Sequence, residues 1–160
     1  MDLPGLSKEP MGFRALAWGS SKESLTNMYN VSCGTVGTDP ACDGEVTIGG
    51  IRADVRYFFP NLALSGVVLR FPANRYDFMH AVFIEKYGTA TSVDHEPVQN
   101  GFGATFDNET TTWRFHGAQV RLVRFGSNLT ESTAIVGLNT WADALVAAQE
   151  TAHKKAAKDF

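Results

Sequence analysis

The sequence predicts an α+β fold: two tandem helix-plus-antiparallel-meander units forming one sheet-containing domain, closed by a C-terminal helix. Three observations lead there. Strand-like runs come in groups joined by short turns, as antiparallel strands permit and parallel strands do not. A helical pattern precedes each group, at 20–30 and at 74–87, and an Ala- and Lys-rich helical pattern occupies 140–158. With 160 residues, 44% of them hydrophobic and 19% charged, the chain can bury a core of its own. The expected boundaries are a flexible leader over 1–12 and a single domain over 13–160, with possible halves 13–72 and 73–138.

Taken in order, 13–19 reads as an extended segment that anchors Phe13 and Trp18. Ser20-Ser-Lys-Glu23 is a capping-box pattern opening a short helix whose stripe is Leu25, Met28 and Tyr29. The run from Cys33 to Cys42 is rich in Gly, Thr, Asp and Pro and reads as a loop. Strands follow at 45–49 and 51–59; in the second, Ile51, Ala53, Val55 and Tyr57 alternate with Arg52, Asp54, Arg56 and Phe58. Pro60-Asn61 makes a turn, and 65–71 is apolar enough for a central strand. A helix over 74–87 is expected to be capped by Asn74 and to end at Gly88, with Tyr76, Met79, His80, Phe83 and Tyr87 on its stripe. Residues 89–101 read as a polar loop containing Pro97. Strands are expected at 102–107, 110–116 and 118–125, with turns at Asp107-Asn108 and His116-Gly117, and a further strand at 132–138. Thr140-Trp-Ala-Asp143 is a second capping box, and the helix it opens should fray in its last turns.

A net charge of −3 argues against broad electrostatic capture of nucleic acid or of an anionic membrane. No window approaches the roughly 18 apolar residues of a membrane span. The N-terminus lacks a signal peptide's basic start and apolar core, which suits either a cytosolic chain or an exported one after signal removal. Cys33 and Cys42 are the only cysteines, and Gly34, Gly37 and Pro40 would let the loop bring them together or leave them as two reduced thiols. His80, His95, His116 and His153 show no metal-ligand spacing, and neither metal nor cofactor is expected. Sequons at Asn30, Asn108 and Asn128 are read as chance matches.

Phe13-x-x-x-x-Trp18-Gly19, the cysteine pair ahead of a strand, the helix end Glu85-Lys86-Tyr87-Gly88, and Trp113 followed by Gly117 resemble a loose group of small bacterial envelope or secreted proteins. These motifs are core aromatics and turn glycines, so the likeness bears on fold more than on activity. It spans most of 13–125 and leaves out the C-terminal helix. The resemblance implies export, a Cys33–Cys42 disulfide and no catalytic residues.

Gly-x-Ser-x-Gly, His-Glu-x-x-His and phosphate-loop patterns are all absent, and Gly101-Phe-Gly103 is too short for a nucleotide fingerprint. Asp94-His95-Glu96 is the densest titratable cluster and reads as a solvated loop. The arginines point elsewhere. Arg52, Arg56, Arg70, Arg114, Arg121 and Arg124 all fall on expected strands, whereas every lysine lies outside them. With His116 and Phe58 they could form a sheet-face patch for an acidic or phosphorylated partner, or be cross-paired with Asp54 and Glu109. The function expected is a non-enzymatic binding domain of the bacterial envelope, recognising a protein or an envelope component. Alternatives are an inhibitor or immunity-type protein that occludes an enzyme, a cytosolic phage or mobile-element accessory protein with reduced cysteines, and an enzyme assembled from His95, His116, Asp94 and Arg114.

Overall fold

The computed structural model describes residues 8–158, so residues 1–7 of the expected leader lie outside the described residues. The chain runs β1 (Gly12–Phe13), β2 (Leu16–Ala17), α1 (Lys22–Met28), β3 (Ser32–Val36), β4 (Asp39–Ile48), β5 (Ile51–Phe58), β6 (Gly66–Pro72), α2 (Tyr76–Tyr87), β7 (Ser92–Gln99), β8 (Thr105–Arg114), β9 (Ala118–Asn128), β10 (Glu131–Leu138) and α3 (Asn139–Ala157). β1 and β2 form a small hairpin. The other eight strands form one antiparallel sheet in the order β3-β4-β5-β6-β10-β9-β8-β7. The fold is α+β. Each half is a helix followed by a four-stranded meander, and the last strands of the two meanders, β6 and β10, pair antiparallel at the sheet centre.

Strand alternation decides where the core sits. Ile51, Ala53, Val55 and Tyr57 of β5 are buried, as are Val67, Leu69 and Phe71 of β6 and Ala134 and Val136 of β10. These side chains share the inner face, which α1 covers through Leu25 and α2 through Met79, Phe83 and Tyr87. Each fully buried large apolar side chain stabilises by roughly 1.5–3 kcal/mol. Trp113 on β8 is the largest of them; Phe83 and Tyr87 lie against its ring, and its indole N–H donates to the Gly88 carbonyl. The helix ends at Gly88 as expected, but with φ 87° and ψ −155° rather than the left-handed helical conformation, a backbone that glycine alone adopts readily.

Two expected loops are strands. Residues 89–101 contain β7 and the cysteine loop contains β3 with the start of β4. Both are edge strands, and β7 carries Asp94, His95, Glu96 and Pro97, residue types that keep an edge from pairing with another chain. The turn expected at Asp107-Asn108 is absent because β8 runs unbroken from Thr105 to Arg114. There the Asn108 side-chain amide donates to the Phe125 carbonyl and accepts from the Phe125 N–H, standing in for a backbone ladder rung.

Helix starts shift as well. Ser21, not Ser20, caps α1, accepting from the Ser24 N–H. Asn74 lies in a 3-10 turn, Ala73–Arg75, and α2 starts at Tyr76 without a side-chain cap. Asp143 closes no capping box, because its carboxylate is held by Arg114 and Gln119. α3 continues through Ala157. Residues 8–12, expected in the leader, are tied down: Glu9 accepts from the Gly117 and Ala118 N–H groups, and the Trp18 indole donates to the Pro10 carbonyl.

Candidate functional site: the outer face of the sheet

The face opposite α1 and α2 carries the other half of each strand's alternation. Register places Asp43, Glu45 and Thr47 of β4, Arg52, Asp54, Arg56 and Phe58 of β5, and Gly66, Val68 and Arg70 of β6 on it. It continues through Thr133, Ile135 and Gly137 of β10, Gln119, Arg121 and Val123 of β9, and Thr112 and Arg114 of β8. α3 covers part of this face, where Gln119 and Ile135 are buried. There α3 docks by Trp141, whose ring lies over Gly66 and Gly137 and 5.3 Å from the Phe58 ring. Buried Ala142 packs in the same turn, while residues 147–152 of α3 are exposed.

The arginines divide into two classes. Arg52 forms a two-pronged ion pair with Glu45, Arg56 with Asp43, and Arg114 with Asp143. Fork-to-fork pairing of this kind fixes both side chains. The Arg56 hydrogen bond lowers the Asp43 pKa, and the Arg114 hydrogen bond, helped by Gln119, holds Asp143 down at about 2. The pairing uses Glu45, Asp43 and Asp143 rather than the expected Asp54 and Glu109.

Arg70 and Arg121 are different. Among the described residues neither makes a hydrogen bond or an ion pair, and they act through space alone, Arg70 on Asp43 and Arg121 on Asp143. They flank β10, with Arg70 opposite Thr133 and Arg121 opposite Ile135. Val68 and Ile135 stand opposite each other between them. Arg70 also lines two shallow hollows, of about 250 and 440 Å³, that share Asp54. The centre of the face thus combines two guanidiniums that no carboxylate holds by a hydrogen bond with the half-buried side chain of Val68.

Two residues of the expected patch lie elsewhere. Arg124 is on the inner face, bonded to Asp77 and stacked 4.5 Å over the Tyr76 ring, because it stands three positions from Arg121 and strand alternation puts such residues on opposite faces. His116 is in the exposed turn between β8 and β9. The enzyme constellation is not brought together: His95 faces Asp107 and Glu109, Asp94 is on the opposite side of the same strand, and Arg114 is held by Asp143.

No protein-family description, curated protein or solved structure matches the chain significantly. Its own geometry carries the functional argument.

Sequence reasoning missed a second polar cluster, on the inner face beneath α2. Glu109 accepts a 2.7 Å hydrogen bond from the Tyr76 hydroxyl and lies 3.9 Å from His80 Nε2 and 3.8 Å from His95 Nε2. Burial, then the bond to Glu109, pushes the Tyr76 pKa up. The missed signal was the strand period: Glu109 sits two residues from Thr111 and four from Trp113, both inner-face positions once β8 is continuous. Among the described residues no three His, Cys, Asp or Glu side chains are placed to hold a metal ion.

Cys33 and Cys42 are directly opposed on β3 and β4 and joined in a disulfide, leaving no free cysteine among the described residues. No helix among the described residues is long and apolar enough to cross a membrane.

Proposed function

We propose that this protein is a non-enzymatic binding domain of the bacterial envelope that recognises an acidic protein surface through the outer face of its sheet. The observation that carries the reading is the pair Arg70 and Arg121, the outer-face strand arginines whose guanidiniums no carboxylate holds by a hydrogen bond or ion pair, on a face where Arg52, Arg56 and Arg114 are all paired. Arginine is the side chain best matched to carboxylates and phosphates at an interface. Val68, half-buried on the same face two positions from Arg70, supplies apolar surface beside it of the kind that hot spots occupy. Eight strands spaced about 4.8 Å apart give a face broad enough for a standard interface of about 800 Å² per partner.

The Cys33–Cys42 bond supports an oxidising compartment, since cytosolic thiols are kept reduced. It disfavours the cytosolic accessory role, which requires both thiols free. An inhibitor or immunity-type protein is the version in which the docked acidic surface borders an enzyme's active site.

A photo-crosslinking residue at Val68, compared with one at exposed Ile84 on α2, tests the reading in cells of the native host. Covalent capture of one protein from Val68 but not from Ile84, lost in Arg70→Glu/Arg121→Glu, is expected. Equal capture from both faces, or none from Val68, contradicts it.

A further inference from the structure

The two edges of the eight-stranded sheet are built differently. β7 carries Asp94, Glu96 and Pro97, residues that resist pairing with a further strand. β3 carries Ser32, Cys33, Gly34, Thr35 and Val36, with no charge and no proline, and every one is exposed. With no side chain in the core, β3 is held by its ladder to β4 and by the Cys33–Cys42 bond.

That ladder fixes which backbone groups of β3 point outwards. Opposed residues of an antiparallel pair alternate between exchanging hydrogen bonds and turning their backbone groups away from each other. Cys33 and Cys42 are 4.0 Å apart at Cα, the close spacing of a pair that turns away. Pro40, opposite Thr35, has no N–H to give, and its carbonyl accepts from the Phe59 N–H on the β5 side. Cys33 and Thr35 therefore aim their N–H and C=O groups off the sheet edge, and among the described residues nothing receives them.

These two residues sit symmetrically about Gly34. From this geometry we infer that β3 pairs antiparallel with β3 of a second copy of this chain, about a two-fold axis through Gly34, joining two eight-stranded sheets into one. Cys33 of each copy then exchanges hydrogen bonds with Thr35 of the other, so every outward group finds a partner. Gly34 meets its symmetry mate on the axis with no side chain to crowd it, and Val36 stands beside Ser32 of the other copy. Charge selects a second copy as the occupant. A two-fold contact sets like charges against each other, and β3 has none, whereas the same operation about His95 would bring Asp94 of one β7 against Glu96 of the other. The contact lies in the plane of the sheet, separate from the outer face and independent of the partner proposed there.

Sedimentation equilibrium of the full, oxidised chain from about 10 μM to about 1 mM tests it, a range suited to the small contact that one short strand makes. The mass should rise from 17.4 kDa towards twice that value, and the Cys33 and Thr35 amides should gain protection from exchange over the same range. Thr35→Pro removes an outward N–H but no ladder bond to β4, and should weaken the dimer at least tenfold. Gly34→Lys, at a position with open space around it, should do the same by setting two cations on the axis. Glu96→Lys on the other edge and Arg70→Glu/Arg121→Glu should leave the dimer unchanged. A chain that stays monomeric throughout, a dimer indifferent to both β3 substitutions, or one that depends on Glu96 or on the arginine pair overturns the assignment.

Discussion

The six-membered ring of Trp141 occupies the space above Gly66 where a β-carbon would stand. Gly137, the Cα partner of Gly66 on β10, faces the same ring. Two glycines opposite each other on central strands thus form the seat on which α3 docks, and the absence of side chains there is what lets the helix approach. Gly66→Ala should force the indole off its seat and lower stability by about 1–3 kcal/mol, the usual cost of overpacking. Thermal unfolding checks this. In a Trp141→Ala background the same substitution should cost much less, since the clash is gone.

Acid should release α3 before the core unfolds. The folded Asp143 pKa, about 2, is below the value of about 3.9 for an unfolded aspartate, so its contribution is full above the unfolded value and is lost as pH falls through the folded one. Trp141 fluorescence should therefore change between about pH 4 and pH 2, with Asp143→Asn showing the acid-form signal already at pH 7. The paired side chains are exposed, so the effect should shrink in high salt.

Tyr76→Phe removes the donor to Glu109 and should cost about 1.5–3 kcal/mol at pH 7, the range for hydrogen bonds to charged groups. Denaturant unfolding measures it. At high pH the wild type should lose stability by a related route: burial raises the Tyr87 pKa to about 12, so its contribution is intact below about pH 10, the unfolded value, and falls as pH rises towards 12.

Reducing the Cys33–Cys42 bond should loosen an edge rather than unfold the sheet. Closing a loop whose partners are nine positions apart contributes on the order of 2–3 kcal/mol. Amide exchange should accelerate in β3, whose residues are all exposed, while β6 and β10 stay protected. Loss of protection across the sheet would contradict the picture of a local clamp.

What the sequence made legible and what it hid follow from burial. β5 and β6 have one face in the core, so their alternation is written in apolar residues. β3 and β7, the first strand of each meander, are solvated almost throughout and carry no such period, which is why both read as loops. Their omission hid that the two halves are matched four-stranded meanders. The arginines were visible as strand residues, and alternation alone sends Arg124, three positions from Arg121, to the opposite face; register was needed for the partners, since strand pairing brings Glu45 and Asp43 to Arg52 and Arg56. The Glu109 cluster required β8 to be continuous, and Asp107-Asn108, a turn dipeptide by composition, concealed that.

The central claim, that Arg70 and Arg121 are the recognition pair on the outer face, is tested most directly by following the arginine Nε–Hε resonances during titration with a glutamate- and phosphoserine-rich peptide. Arg70 and Arg121 should shift together and saturably, Arg52, Arg56 and Arg114 should move little because their forks are occupied, and Arg124 on the inner face should not move. Uniform small shifts across all six, or a response centred on the already paired arginines, would contradict the claim.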